Sequence, residues 1–404
     1  MAVLKANGSF LKANGKILVR PEGVGDFVVI GGKKYPFVQI GRQLWIVYNL
    51  DYADENITVG GGLSTSIPKA YYYDQDEATN GWNGRKINLL YNVPALNYLV
   101  QNSSTIFPNG WRVCSNSDME SLIKFVGGAS VAGTKLSKGD LDWQSASWNG
   151  TDDFGFRWLP SGTRWGSNGR FAALGEEAVL ITANQLFYYT FGDGTVDAIF
   201  EHDLNAASPI RICKDATVNI GGRDYPTTRI GDQIWLAENL DWKLEGITIN
   251  GGAITDTPAA WYFNKDEATY GINGNKQGLL YNKFCQEIIS QSLPKGWRIP
   301  SKSDFEELDA YIGSNSAIKL KSTTEWPNNY KGTDNFGFKL LPSGWWDSVN
   351  PSSSNNSANC PLQTSTKYDT DRYWQYYTDE NSPNNMEFDT FRTAGIAIRL
   401  VKDA

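Results

Sequence analysis

Histidine is almost missing from this 404-residue chain: His202, in "FEHDLN", is the only one. Imidazole-based acid–base chemistry and histidine-rich metal sites therefore have little to draw on, and His202 reads as structural or merely exposed. Cysteine is scarce too. Cys114, Cys213, Cys285 and Cys360 form no C-x-x-C pair, which removes the usual zinc spacing. Thiols this sparse and irregular read as the free cysteines of a protein made in a reducing compartment. No apolar run approaches the ~20 residues that span a bilayer. The opening "MAVLKANGSFLKANG" has neither the apolar stretch nor the small-residue cleavage site of a secretory leader, so no export signal is expected. Basic residues are not in excess either. The formal net charge is -7, without clustered Lys/Arg, and nucleic acid is not an expected partner.

What the chain does have is aromatic residues, 15 Trp, 20 Tyr and 18 Phe, enough for ordinary cores and for surfaces that bind sugars or proteins. It also has an internal repeat. "IGGKKYPFVQIGRQLWIVYNLDY" from Ile30 matches "IGGRDYPTTRIGDQIWLAENLDW" from Ile220, 190 residues on, and the match runs without a gap to "LLYN" at Leu89 and Leu279. It resumes at smaller offsets: "FPNGWRVCSNSDMESL" with "LPKGWRIPSKSDFEEL", "GTDDFGFRWLPSG" with "GTDNFGFKLLPSG", and "PIRICKD" with "AIRLVKD". The chain therefore divides into an arm over residues 1–28, a first domain over 29–215 and a second over 218–404. A repeat unit this long is a whole domain, not a solenoid element.

Local patterns predict an α+β unit, poor in helix and rich in loops. "YPFVQI" and "QLWIVYNL" flank Gly41 as a β-hairpin. Met119, Leu122, Ile123 and Val126 share one helical face. Ser117 with Glu120 reads as a capping box, and Gly127 as the stop. The second copy repeats this with Ser303, Glu306, Phe305, Leu308, Ile312 and Gly313, so capped helices are expected over 117–126 and 303–312. "GTD-x-FGF-x-x-LPSG", with aromatics at alternate positions, reads as a core strand leaving a turn. Arg112 and Arg298 of the two "GWR" words are candidates for pairing with a carboxylate.

Taken together, "G-x-Q-x-W-x-x-x-N-L", "LLYN", "P-x-GWR", "GTD-x-FGF-x-x-LPSG" and the final "IR-x-VKD" resemble the Fibrobacter succinogenes major paralogous domain. That family is frequent in gut Bacteroidetes and their phages. The resemblance implies two tandem C-type-lectin-like domains and ligand display, with no established reaction. It also implies a disulfide between a cysteine before the P-x-GWR word and one near the final R-x-V-K-D. Ser104–Phe107, Leu293 and Leu400 offer none in those places, so this chain departs from that pattern.

"DEAT-x-G-x-NG" occurs in both copies, as Asp76, Glu77, Asn83, Gly84 and as Asp266, Glu267, Asn273, Gly274. Adjacent carboxylates beside turn residues are hard oxygen ligands, which makes calcium the one candidate cofactor; a capped turn with solvated acids is the favoured reading, so no cofactor is expected. A paired-carboxylate glycosidase is disfavoured, because adjacent acids point apart whereas that chemistry needs them facing across ~5–9 Å. An enzyme of the formylglycine-generating type, which shares the lectin-like fold, would need a reactive cysteine pair, and Cys285 and Cys360 have no counterparts in the first copy.

The copies diverge most over residues 347–392, "DSVNPSSSNNSANCPLQTSTKYDTDRYWQYYTDENSPNNMEFDTFR". Tyr and Trp give rigid contact area while Ser and Asn give adaptable hydrogen bonds, as in antibody loops. This set also resembles the variable region of proteins diversified by retroelements. Trp345, Trp346, Tyr368, Tyr373, Trp374, Tyr376 and Tyr377 are expected on or beneath one exposed loop face that binds a host-surface glycan or protein; a polar surface loop without a ligand is the bland alternative.

The arm carries the word LKANG twice, with N-G turn signals at Asn7 and Asn14. Its basic, turn-rich character predicts short strands that dock on a partner through Leu4, Lys5, Leu11, Lys12 and Ile17. The composite expectation is a non-enzymatic phage virion protein, made in the host cytoplasm, oligomeric in the particle, attached to other virion proteins by the arm. The alternatives are a purely structural virion protein and a bacterial cell-surface adhesin.

Overall fold

A computed structural model describes the chain apart from residues 1–10, 14–15, 19–25, 76–80, 83–84, 138–149, 192–193, 201–202, 252–255, 264–270, 273–274, 328–329, 347–352, 355–358, 380–386 and 392–393. It separates into two compact units, Met1–Asp215 and Ala216–Ala404. Each mixes antiparallel sheets with a few short helices. Among the described residues no helix is long and apolar enough to cross a membrane. In the arm, Leu11–Ala13 pairs antiparallel with Lys16–Leu18, which sets Leu11 opposite Leu18 and Lys12 opposite Ile17. Leu4, Lys5, His202 and the two acidic "DEAT" loops lie outside the described residues.

In unit 1 one sheet has the order Arg112–Val113, Ile212–Asp215, Gln43–Ile46, Lys33–Ile40, Phe27–Ile30. Its central hairpin turns where expected, with Ile40 opposite Gln43 and Gly41 at φ +54°. A Cβ on Gly41 would stand 2.8 Å from the Phe125 ring, so both conformation and space call for glycine. A second sheet runs Phe171–Leu174, Ser161–Arg164, Ala207–Pro209, Leu90–Asn92, Lys69–Tyr71, Thr58–Val59. A separate three-stranded sheet comprises Ala178–Ile181, Leu186–Thr190 and Asp197–Phe200.

Unit 2 repeats the first sheet with Thr217–Ile220, Arg223–Ile230, Gln233–Leu236 and Val401–Asp403. Seven of its other strands form one sheet, because Asn359–Lys367 joins Ile396–Ala397 through the parallel pair Leu362 and Ala397, and two short hairpins, Gly271–Ile272/Asn275–Lys276 and Trp345–Trp346/Ser353–Ser354, stand apart. The hairpin Asn359–Lys367/Tyr373–Asp379 is the counterpart of Ala178–Ile181/Leu186–Thr190. The Gly344 N–H donates to the Asn359 carbonyl as Gly162 does to Glu177, and Ser365 donates to Pro300 as Ala183 does to Cys114.

The long helices are capped two residues earlier than the capping signal predicts, at Asn116–Val126 and Lys302–Ile312. The N-caps are Ser115 and Ser301, not Ser117 and Ser303, and the capping boxes close on Asp118 and Asp304 instead of Glu120 and Glu306. The reason is tertiary. Arg112 Nη2 lies 2.6 Å from Asp118 Oδ1 and 3.2 Å from Asp215, and Arg298 Nη2 lies 2.5 Å from Asp304 and 2.8 Å from Asp403. The arginine of each "GWR" word thus holds the capping carboxylate of the next helix. Met119, Leu122 and Val126 are buried as the spacing requires, and so are Phe305, Leu308 and Ile312.

The "GTD-x-FGF" word packs in the core but is not a strand. Asp152 and Asp334 Oδ1 accept from the N–H of Arg157 and Lys339, which folds the segment into a turn with positive φ at Asp152, Arg157, Asp334 and Lys339. That turn delivers backbone carbonyls to a buried arginine. Arg211 is fully buried, and it donates to the carbonyls of Ile46 (3.1 Å), Arg157 (2.6 Å) and Phe156, and to Asn49 Oδ1 (3.2 Å), with its guanidinium 4.3 Å above the Phe156 ring. Burial pushes its pKa down, to about 9. Arg399 makes the equivalent hydrogen bonds in unit 2, to the carbonyls of Leu236, Phe338 and Lys339 and to Asn239 Oδ1.

All four cysteines are free and buried. Cys114 and Cys213 sit on neighbouring positions of paired strands, Cys213 opposite Arg112 and Cys114 N–H donating to the Arg211 carbonyl.

Glu177 opens the Ala178–Ile181 strand and stands where unit 2 has the neutral Asn359. Burial, and then the neighbouring Glu176, pushes its carboxyl up to about 7. The folded state therefore keeps a proton that the unfolded chain releases near its ordinary value of 4.5. The resulting stability is complete below that value and is lost as pH rises through 7. Glu177→Gln is expected to raise the melting temperature of unit 1 at about pH 8 and to leave it unchanged at about pH 4. Equal shifts at both values in differential scanning calorimetry would refute the assignment.

Candidate functional site

The hairpin of Asn359–Lys367 and Tyr373–Asp379 is built from residues that suit strands, with Thr, Tyr and Trp at most positions of its second arm. Leu362 stands opposite Tyr376 and Gln363 opposite Gln375; the register then shifts before Lys367 meets Tyr373. Period-two alternation sends Trp374, Tyr376 and Thr378 to one face, Tyr373, Gln375 and Tyr377 to the other. This divides the seven residues expected on one loop face.

Two of them are core. Tyr376 is fully buried, its ring stacked on Phe305 with centroids 4.2 Å apart at 16°, and its hydroxyl donates to Asp309. Trp346 is also buried, stacked on Trp261 at 5.5 Å and 3°. Gly395 packs beside this pair: it bridges to Trp346, and a Cβ there would stand 2.9 Å from the Trp261 ring and 3.0 Å from Trp346 Cβ. Unit 1 fills the same place differently. Arg164 lies 3.9 Å above the Tyr71 ring and pairs with Ala207. Trp345 is half-buried in a two-residue strand, and Tyr377 is half-buried with its hydroxyl 3.2 Å from Asn359 Oδ1 and 3.1 Å from Asp379. The exposed-loop expectation is thus corrected for Trp346 and Tyr376, because the segment is a paired strand whose alternate side chains enter the core.

The other three lie near the tip, Tyr368 and Trp374 in contact and Tyr373 on the opposite face of its strand. Tyr368 is 47% exposed and meets Trp374 edge-on at 4.9 Å. Arg372 lies 4.5 Å over the Tyr368 ring, Lys302 5.2 Å over Trp374 and Lys367 6.0 Å over Tyr373. Asp369 shapes the turn: its Oδ1 accepts from the N–H of Asp371 (2.9 Å) and Arg372 (2.7 Å), while Oδ2 accepts from Arg372 Nε (2.7 Å). The Arg372 guanidinium, with those N–H groups, holds the Asp369 carboxyl down at about 2. The tip is a set of aromatic faces interleaved with cations on a turn pinned by its own side chains.

Sequence composition pointed to the aromatic residues and overlooked Lys302, Lys367 and Arg372. Their signal was positional. Lys302 follows the helix N-cap Ser301 directly, and the other two flank the tip in "KYDTDRYW". Unit 1 has no such tip. Its hairpin turns tightly, with the Thr182 N–H donating to the Leu186 carbonyl and Gln185 at φ +62°. No group of three or more His, Cys, Asp or Glu side chains that could hold a metal ion occurs among the described residues.

The sequence profile described as the Fibrobacter succinogenes major domain matches residues 38–188 and 228–402. No curated protein matches the chain, and no solved structure does.

Proposed function

The chain belongs to the Fibrobacter succinogenes major domain family, which it carries as a tandem pair, and from that premise we propose that it is a non-enzymatic binding protein of a phage virion. In this reading both units have the C-type-lectin-like fold, and the hairpin tip of unit 2 engages a glycan or protein on the host surface. The observation that carries the reading is the pair Tyr368 and Trp374 with Arg372 and Lys302 over their rings, beside Tyr373 under Lys367 on the other face of the strand. Such a tip presents flat apolar faces for stacking and cationic donors at their margins. It exists in one copy only, which is where a display protein would place its specificity.

Exposed aromatic anchors of this kind contribute about 2 kcal/mol or more when they fill a partner's surface, a factor of roughly thirty in affinity. Tyr368→Ala and Tyr373→Ala are therefore expected to weaken attachment of the purified protein to host cells about thirtyfold, with melting temperature almost unchanged. Attachment that survives both substitutions would return the tip to a structural role. Absence of the chain from purified particles, tested by mass spectrometry, would sink the virion assignment separately.

A further inference from the structure

Unit 1 holds a groove that the tip of unit 2 does not share. Its cavity is about 380 Å³, within the range of small-molecule sites. One wall is the outer face of the Val93–Gln101 helix, and the other is the loop before Lys69 together with Leu204. From this geometry we infer that the groove is a second binding site, specific for an uncharged saccharide.

The lining chemistry supports that class of ligand. Thr65 and Ser66 offer hydroxyls, and Asn97 and Gln101 offer carboxamides, so donors and acceptors are both present. No charged side chain lines the groove among the described residues. Pro94 and the Tyr98 ring supply apolar surface for the C–H faces of a sugar. Two of these groups are set in advance. The Tyr98 hydroxyl donates to Asp54 Oδ2 at 2.8 Å and accepts from Asn56 Nδ2 at 2.9 Å, which fixes the ring. Asn97 Oδ1 accepts from Gln185 Nε2 at 3.2 Å, which orients the amide. Pre-set polar groups lower the ordering cost of binding.

Unit 2 carries charge at the equivalent positions. At the positions of Ser66, Val93 and Asn97 it carries Asp256, Lys283 and Glu287. Lys283 Nζ donates to the Asp371 carbonyl at 3.0 Å, so the long hairpin tip lies across the start of that helix. In unit 1 the tight turn reaches this helix through the Gln185 side chain at Asn97. The site is independent of the unit 2 tip and rests on different residues.

The test uses the full chain and a panel of neutral disaccharides (cellobiose, xylobiose, mannobiose and N-acetyllactosamine) with sialyllactose as the acidic comparison. Binding is read by saturation-transfer NMR and titration calorimetry. At least one neutral sugar is expected to bind at millimolar concentration or below. Its affinity is expected to fall about tenfold or more in Asn97→Ala and in Gln101→Ala, to be abolished in Ser66→Asp combined with Asn97→Glu, and to be unchanged in Tyr373→Ala. Circular dichroism melts confirm that each variant is folded. The inference is overturned if no neutral sugar binds, if sialyllactose is preferred, or if binding survives Asn97→Ala. Loss of sugar binding in Tyr373→Ala alone would place the saccharide at the unit 2 tip and would equally overturn it.

Discussion

Arg399→Ala is expected to cost unit 2 about 4 kcal/mol or more, enough to unfold most of it near its ordinary melting temperature. The fully buried guanidinium serves the carbonyls of Leu236, Phe338 and Lys339 and the Asn239 side chain. Alanine removes all those donors at once. Each buried acceptor left unpaired costs roughly 1–3 kcal/mol, and the emptied volume adds a further term. Total domain stability is only about 5–15 kcal/mol, so the loss is a large fraction of it. Arg399→Lys keeps the charge but cannot reach so many acceptors in one plane, and it should fall between. Calorimetry should show one transition displaced while that of unit 1, with its own core, persists. A displacement corresponding to less than about 1 kcal/mol would mean that water or relaxation satisfies the carbonyls. Arg211→Ala should mirror the result in unit 1.

Tyr376→Ala should act on stability, not on attachment. The ring lies flat on Phe305 and fills the space between hairpin and helix, and truncation of a buried aromatic costs about 3–5 kcal/mol. Tyr376→Phe isolates the hydroxyl. It keeps the stack and deprives the Asp309 carboxyl of a donor, at about 1–2 kcal/mol. Burial already pushes the Asp309 pKa up, so the Phe variant should favour its protonated form further. The comparison with Tyr368→Ala is the decisive one. Two tyrosines eight positions apart on one hairpin are expected to separate cleanly into a folding defect and a binding defect, read by chemical denaturation and by cell attachment. If Tyr376→Ala melts like the wild type, the strand register that buries it is wrong.

The repeat made the two-unit layout legible, because gap-free identity between copies needs no knowledge of contacts. The hairpin at Gly41 was legible for a local reason, since its turn chemistry and its strand periodicity agree. The helices were legible in face but not in start. "SNSDMES" and "SKSDFEE" each offer two overlapping capping boxes, and the choice is made by Arg112 and Arg298, which arrive from outside the helix. The alternate aromatics of "FGF" imitated a strand. Asp152 and Asp334 make it a turn by accepting from a backbone N–H five residues on, a contact with no periodic signature. The tip segment misled in the opposite sense. Its Ser, Asn and Thr content reads as loop, yet "YWQYYTD" alternates between two faces and pairs from Tyr373 to Asp379. Composition located the aromatic cluster; only the pleat decided which rings face out.

The trio Trp261, Trp346 and Gly395, set against Tyr71, Arg164 and Ala207, bears on how a chain with two similar halves avoids tangling. Neighbouring domains of like sequence are prone to mispairing during folding, when a strand from one half docks into the sheet of the other. Here the wrong docking meets a mismatch of shape. The strand carrying Trp346, laid beside the one carrying Ala207, would meet a methyl group close to the Trp346 Cβ where its proper neighbour, Gly395, has none. With the correct glycine a Cβ would already stand 3.0 Å from Trp346. Conversely, Arg164 placed over Gly395 would leave the space of an indole unfilled. The two halves have diverged where their sheets close, and each half is expected to prefer its own strands for that reason.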